Sequence, residues 1–396
     1  MKILIINAGS SSIKFNLYET EGEQCLAKGL IERIRAPGTN LRYTNHKGVK
    51  VEQKISANSY EAAISEACLA LSAPQTGVIE SLTEIKAIGH RVVHGGAAIS
   101  GAVRITPQVK QVIMDCFDLA PIHNPPNLEG IEACEQLFPS IPMVAVFDTA
   151  FHQTMPPVSY TYAIPIEIAH KYKIRKYGFH GTSHHYVALS AAEHLGRPLE
   201  DLKLITVHLG NGCSITAVNR GKVEDTSMGL TPLEGLMMGT RCGDIDPAVV
   251  MHLSRIGFSL EDIDKMLNKQ SGIIGLSGIG SGDMRDLLKA VHDGNTQAQL
   301  ALAVYNHRIV KYVGAYSAEL KGFDALVFTG GIGENVASIR ASVCDHLGFL
   351  GVQLDPVRNR AHEIIITRDE IAPRVMVVPT NEELMIARQT HALLFQ

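Results

Sequence analysis

The chain has 396 residues, 45% of them hydrophobic and 19% charged, with a formal net charge of −4; at about 150 residues per domain that is room for two to three packed domains, and such a composition excludes disorder. Near-balanced charge leaves no basic field for wrapping nucleic acid or an anionic membrane surface, and no stretch approaches the roughly 18 to 20 apolar residues of a membrane span. Seven cysteines without a C-x-x-C pair exclude a disulfide framework and a zinc ribbon, and the apolar run opening MKILIINAGSSS is too short for a secretory signal, so the reading is a reduced, cytoplasmic protein.

In chain order, residues 3–17 (ILIINAGSSSIKFNL) predict a strand, a tight turn of small residues and a second strand. Apolar periodicity predicts helices over 59–71, 127–138 and 183–195, the last stopped by Gly196, and strands over 84–93 and 142–148 between them. A second hairpin follows at 204–218 (LITVHLGNGCSITAV), then a long helix over 297–320 interrupted at Gly314, a strand over 324–330 and a helical stretch beginning at Asn335. With one extra residue allowed in its turn, the second hairpin aligns with the first: Asn7 lies opposite His208, Gly9 opposite Gly210, Ser12 opposite Ser214 and Ile13 opposite Ile215. A repeat near half the chain length implies two related domains and not a solenoid, whose periods run about 20 to 50 residues. Alternating strands and helices imply α/β layers with ligands at strand ends and helix starts. No Pro/Ser-rich linker separates the halves, which points to a cleft.

Glycine clusters follow several of the strands, and chemistry concentrates there. Small residues let several N–H groups converge on a phosphate; NAGSSSIKF offers this with the hydroxyls of Ser10, Ser11 and Ser12 and the charge of Lys14, although an ordinary hairpin turn has the same composition. HLGNG (His208 to Gly212) repeats the pattern, while Walker A and G-x-G-x-x-G signatures are absent. TGGIGEN (329–335) precedes a helix whose free N–H groups suit an anion; a helix start that merely needs glycine reads the same way. Asp148, closing the strand PMVAVFD, is placed to hold Mg²⁺ or act as a base, or only to cap a turn, and Glu382 in TNEEL is a similar acid or a capping residue. In FHGTSHH, His180 and His184 stand four apart, a zinc spacing on a helix, but Gly181 and Thr182 break a helix there and no third ligand is evident, so His180 reads as a loop donor. His90, His94 and His123 sit beside glycine or proline turns. Arg91 and Arg241 stand in glycine-rich loops, where an arginine fork suits a carboxylate or phosphate; the alternative for Arg241 is an ion pair with Asp244 or Asp246. Asp283 and Arg285 form a further charged cluster.

Taken together, NAGSSSIKF, GHRVVHGG, HNPPN, VFDTAFH, YGFHGTSH, HLGNG, GTRCGDIDP and TGGIGEN resemble the acetate kinase family from residue 3 to about residue 390. The resemblance implies two duplicated ribonuclease-H-like domains of the actin-like ATPase type with a central cleft: residues 1–150 with 384–396 packing back, and 151–383. It implies reversible phosphoryl transfer from ATP to acetate, giving acetyl phosphate and ADP with Mg²⁺ or Mn²⁺, by a cytoplasmic homodimer with neither nucleic-acid nor membrane partners. Carried over onto this sequence, Asn7 and Glu382 position the metal, and Asp148 is a base or an orienter. Arg91 and Arg241 hold the carboxylate and the phosphoryl group, His180 donates to the phosphoryl oxygens and His123 supports it. Val93, Ile122, Phe179 and Pro232 surround the methyl group of acetate. Ser12, Lys14, His208, Leu209, Gly210, Asn211, Gly212, Asp283, Met284, Arg285, Gly331, Ile332, Gly333, Glu334 and Asn335 line the nucleotide. The alternatives are a propionate kinase of the same family and, more remotely, an ATP-driven switch of the actin type without a carboxylate acceptor.

Overall fold

A computed structural model describes residues 1–368 and 371–395. Its chain divides into two units, Met1–Gln153 with Asn381–Gln396, and Thr154–Thr380. The sequence-based boundaries at 150/151 and 383/384 lie three residues away, and the shift moves Glu382 from the second unit to the first, because it opens the helix Glu382–Phe395.

The first unit holds an eight-stranded sheet made of β1 (Lys2–Gly9), β2 (Ser12–Glu19), β3 (Gln24–Glu32), β4 (Asn40–Asn45), β5 (Lys50–Lys54), β6 (Ile85–Val92), β7 (Val103–Arg104) and β8 (Met143–Phe147), in the order β5-β4-β3-β2-β1-β6-β8-β7. The second holds five: β9 (Lys203–Leu209), β10 (Cys213–Asn219), β11 (Lys222–Thr226), β12 (Ala325–Thr329) and β13 (Arg374–Val377), ordered β11-β10-β9-β12-β13. In both sheets an antiparallel meander, β3-β2-β1 or β11-β10-β9, continues into two parallel strands, β6 and β8 or β12 and β13. The architecture is therefore one α/β fold present twice. The hairpins differ as their sequences do: Gly9 pairs with Ser12 across two turn residues, and Leu209 pairs with Cys213 across three.

Strands covered on both faces are apolar along their whole length. In β8 and β12 every residue is buried, as are Ile3 to Ile6 of β1. Leu4, Ile6 and Phe15 pack with Ala63 and Ile64 of the helix Tyr60–Ser72 and with Ala133 and Cys134 of the helix Asn124–Leu137. The opposite face lies under Glu382–Phe395: a Cβ on Gly89 would stand 2.6 Å from Thr390 Oγ1 and 2.7 Å from Ile386 Cγ2, so only glycine lets this helix settle on β6.

Three helix readings are corrected. Gly314 does not interrupt the helix Thr296–Glu319, because Ile309, Val313 and Tyr316 bury one stripe through that position and outweigh the roughly 1 kcal/mol that glycine costs. Gly181 and Thr182 do not break a helix; they begin Gly181–Leu195, with His180 as its N-cap. TGGIGEN does not merely precede a helix: Gly330–Asn335 is itself one turn, and Ala337–Asp345 follows. No helix among the described residues is long and apolar enough to cross a membrane.

Candidate active site

Parallel strands deliver side chains side by side at their carboxyl ends. In the first unit these ends carry Asn7 on β1, Arg91 on β6 and Asp148 directly after β8. Arg91 grips Asp148 with two donors, Nε to Oδ1 at 3.1 Å and Nη2 to Oδ2 at 2.5 Å, and its Nη1 donates to Asn7 Oδ1 at 3.3 Å. The pair is largely withdrawn from water, with side-chain exposures of 23% and 3%. Burial works against the charge on Arg91, but Asp148, Glu382 and Glu383 outweigh it and raise its pKa. Glu382, the first residue of the covering helix, has its pKa raised by burial, then by Asp148 and Glu383, against the pull of Arg91 and Lys14. Lys14 faces Asn7 across the hairpin, and Ser12 closes its turn opposite Gly9.

No group of three or more His, Cys, Asp or Glu able to hold a metal ion occurs among the described residues. Asn7, Asp148 and Glu382 present oxygen donors of the hard kind that Mg²⁺ takes, one or two carboxylates with its other positions left to water and substrate phosphates. Two acids beside one another, one of them pushed toward its neutral form by burial and by the other, are what a divalent cation relieves.

Val93 is buried, and its N–H is held by Asn127 Oδ1 at 3.0 Å. Asn124 brackets His94 next to it, accepting from its N–H at 3.0 Å and donating to its carbonyl at 2.9 Å, which brings the turn of Ile122 and His123 alongside. Ile122 is 56% exposed there and is not a buried pocket wall; it stands in the turn that leads into the helix.

In the second unit His180 adopts φ +58°, a left-handed conformation rare outside glycine, which turns its ring over β9. It stacks on His208 with ring centroids 4.4 Å apart. Ser214 Oγ lies 2.9 Å from His180 Nδ1 and 2.8 Å from His184 Nε2, and His184 Nδ1 is 2.7 Å from Thr206 Oγ1. His208 Nδ1 is 2.8 Å from Ser183 Oγ, which also meets Thr380 Oγ1 at 2.8 Å. In the His208–Gly212 turn, Gly210 N–H donates to Gly212 O at 3.0 Å and the Asn211 carbonyl accepts from Gly239 N–H at 3.0 Å. A Cβ on Gly212 would stand 3.4 Å from Arg241 Nη2 and 3.4 Å from His180 Nε2. Two side-chain nitrogens thus converge over one glycine.

Arg241 is anchored by Nη1 to the Pro232 carbonyl at 2.8 Å, and burial lowers its pKa. Its alternative ion pairs are not formed. Asp244 accepts from Tyr312 Oη at 2.8 Å and from Gly235 N–H at 2.8 Å, and Asp246 accepts from Ala248 N–H at 2.8 Å. Among the described residues this half-buried guanidinium is held by a carbonyl and by no carboxylate, an arrangement chemically suited to an external anion.

The remaining positions are mixed. Asp283 caps the helix Met284–His292, accepting from Arg285 N–H at 2.8 Å and pairing with the exposed Arg285 guanidinium at 2.6 Å. Met284 is only 4% exposed, so its side chain belongs to the core and a ligand can meet it only through backbone. Phe179 and Leu209 are buried, and Ile332 half-buried. The free donors expected at TGGIGEN are fewer than the sequence suggests, because Glu334 Oε1 accepts from Gly330 N–H at 2.9 Å and from Thr380 N–H at 3.1 Å. Glu334 ties the turn together, leaving Gly331, Gly333 and Asn335 around it. Sequence reasoning missed Arg340, fully buried, which donates to the Gly333 and Glu334 carbonyls at 2.8 and 2.9 Å and to Asn359 Oδ1 at 2.8 Å. Its signal was an arginine within the apolar stripe of Ile339, Val343 and Cys344. Ser183, Thr206, Ser214 and Thr380 left no such trace.

The Acetokinase family model matches residues 2–388. An acetate kinase of Alkaliphilus metalliredigens is 53% identical over 397 residues, covering 100% of both chains, and one of Methanosarcina acetivorans is 52% identical over 393 residues, covering 98% of this chain and 96% of the relative. Among solved structures, Porphyromonas gingivalis acetate kinase superposes with a TM-score of 0.95 at 45% identity, and a propionate kinase from Francisella tularensis with 0.92 at 45%; each covers 99% of both chains.

Proposed function

Since the chain belongs to the acetokinase family, we propose that it transfers the γ-phosphoryl group of ATP to acetate, giving acetyl phosphate and ADP. It is a carboxylate kinase. A carboxylate oxygen forms the new bond to phosphorus as the bond to the β,γ-bridging oxygen breaks, and the electron pair leaves on ADP. The reaction brings two anions together, so the protein's task is to aim cations and donors at the developing charge. The observation that carries this reading is the convergence of Arg241 Nη2 and His180 Nε2 over Gly212, with Arg241 free of any carboxylate partner.

The first unit supplies the acceptor side. Acetate is already ionised near neutral pH, as carboxyl groups are, so no base is needed. Asp148 therefore orients Arg91, occupying Nε and one hydrogen of Nη2 while Asn7 takes one of Nη1, and one hydrogen on each of Nη1 and Nη2 is left for the acetate carboxylate. Asn7 and Glu382, with Asp148 beside them, are the residues to hold Mg²⁺, or Mn²⁺ by the same hard-donor chemistry. The ion supplies charge neutralisation to the phosphates when bound. Lys14 and Ser12 add donors for phosphate oxygens. Val93, at the end of β6, is a buried apolar surface suited to a methyl group, with Ile122 and His123 in the adjacent turn.

The second unit supplies the phosphoryl side. Arg241 and His180 meet the transferring group, with Phe179 and Pro232 beside them. The turn His208–Gly212, the exposed Asp283–Arg285 corner and Gly331–Asn335 line the nucleotide. The protein is cytoplasmic, in keeping with seven unpaired cysteines. It is a homodimer in this reading, and Val249, Met251, Ile256, Phe258 and Leu260, 40–72% exposed within twelve residues, are the apolar side chains on offer for its interface.

The deciding experiment is a coupled assay of ADP release from Mg-ATP with acetate, propionate, butyrate or no acid, trapping acyl phosphate as the hydroxamate. ADP release that requires acid and yields hydroxamate is expected. Equal release without acid overturns the reading and leaves a nucleotide switch. The likeness to a propionate kinase makes that acid the second substrate to weigh. β-Branched Val93 leaves little space, and one methylene is worth about 10- to 200-fold, so propionate is expected to show a kcat/KM lower than acetate by that factor; equal values would refute the pocket assignment.

A further inference from the structure

The hydrogen bonds behind His180 have a direction. A threonine or serine hydroxyl has one hydrogen to give and two lone pairs to accept with. The Thr206 hydroxyl points its hydrogen at the Thr216 carbonyl, 3.4 Å away, and with that bond made it accepts from His184 Nδ1, at 2.7 Å. His184 is fully buried, which favours its neutral form, and a neutral imidazole protonated on Nδ1 accepts on Nε2. The Ser214 hydroxyl must then donate to His184 Nε2, at 2.8 Å, and its oxygen accepts from His180 Nδ1, at 2.9 Å. With the Thr206 bond to the carbonyl made, each link follows from the one before it, from a β-sheet carbonyl to the ring over Gly212.

We infer that Ser214, backed by His184 and Thr206, is a positioning residue that keeps a proton on His180 Nδ1, so that His180 presents Nε2 to the transferring phosphoryl group and donates there only as the imidazolium. The inference rests on the proposed role of His180. It changes what that role demands: the neutral ring would turn a lone pair toward an anion, and the donor exists only after a proton is taken up. The groups facing His180 set when that happens. Arg241, whose Nη2 shares the space over Gly212, and the stacked ring of His208 on β9 oppose a further positive charge, while Ser214 on β10 and His184 on its own helix favour neither form. An arriving phosphoryl anion reverses the balance, and the ring takes up its proton as the substrate settles.

The test reads the ring nitrogens directly. With ¹⁵N-histidine labelling and the His180 signals assigned by their loss in His180→Asn, long-range ¹H–¹⁵N spectra of the wild-type protein at a pH above the histidine range should show the proton on Nδ1. A proton on Nε2 overturns the inference, because the chain then runs the other way and a neutral ring can donate. Kinetically, Ser214→Ala is expected to lower kcat about 10-fold, the worth of one hydrogen bond, to leave the KM for acetate within about 2-fold, and to shift the alkaline limb of the kcat profile; Ser214→Thr, which keeps the hydroxyl, is expected to restore both. An unchanged Ser214→Ala profile in a protein that His180→Ala inactivates removes Ser214 from the mechanism and leaves the role of His180 standing. Full activity of folded His180→Ala removes the role itself.

Discussion

Arg241 shows at the scale of one residue how a site can be told from a structural ion pair. The acids closest to it in sequence are otherwise engaged, Asp244 by Tyr312, Gly235 and Arg308 and Asp246 by Ala248, and its anchor among the described residues is the Pro232 carbonyl. Arg241→Ala therefore removes little that holds the fold and one preorganised donor for the reaction, so kcat is expected to fall by about 10² to 10³ with the circular-dichroism melt unchanged. A folded variant with wild-type turnover would refute the assignment. His90 makes a different case, a buried ring whose effect is on stability. Its Nε2 has no hydrogen-bond partner among the described residues, and burial pushes its pKa from 6.5 down to about 3. The unfolded chain takes up a proton below about pH 6.5 that the folded ring refuses, so this contribution to stability is fully present above that pH and is lost as the pH falls toward about 3. The urea midpoint of His90→Leu is expected to fall less steeply with acidification than that of the wild type; parallel slopes would exclude His90 as a source of acid lability. Arginines in glycine loops were legible because charge among small residues is conspicuous. Ser214 and Thr206 were not, since a hydroxyl in a β-strand reads as strand propensity until its partner across the sheet is known.

At the scale of elements, strands were the most legible, because a strand buried on both faces writes its apolar run into consecutive residues, as in β8 and β12. Helix starts were less so. Asn124–Leu137 begins three residues before its apolar periodicity, with Pro125 and Pro126 in its first turn, where their missing N–H groups cost nothing. Gly181–Leu195 begins under a histidine in a conformation that sequence assigns to glycine. Gly89 carries the energetics of an interface between elements. A side chain there would overlap Thr390 and Ile386, so Gly89→Val is expected to destabilise the protein by about 1 to 3 kcal/mol, the usual cost of overpacking. Because the displaced helix begins at Glu382, the KM for Mg²⁺ should rise as well. An unchanged melting temperature would show that the helix can move aside freely.

For the molecule as a whole, the duplication was legible in two hairpins. Their register was not, because the second turn holds three residues and begins one position earlier than the alignment set it: Gly9 pairs with Ser12, whereas Ser214, aligned with Ser12, pairs with His208 and not with Gly210. The added β4 and β5 were not, because an antiparallel extension with polar residues such as Lys50, Glu52 and Lys54 carries no apolar run. The exposed apolar residues between Val249 and Leu260 belong to this scale too. Met251→Asp with Leu260→Asp is expected to yield a monomer by light scattering coupled to size exclusion, whereas an unmoved dimer would place the interface elsewhere. The first unit is also discontinuous in sequence, and this imposes a timetable on synthesis. Its strands leave the ribosome first, but the helix that covers β1 and β6 follows only after all of Thr154–Thr380 has been made. Domains fold as they emerge, at about 5 to 20 residues per second, so the second unit, an unbroken segment, can complete itself while the older sheet still waits, bare on one face, for its lid. The nascent chain is thus finished in reverse order, with its earliest sheet the last to be covered.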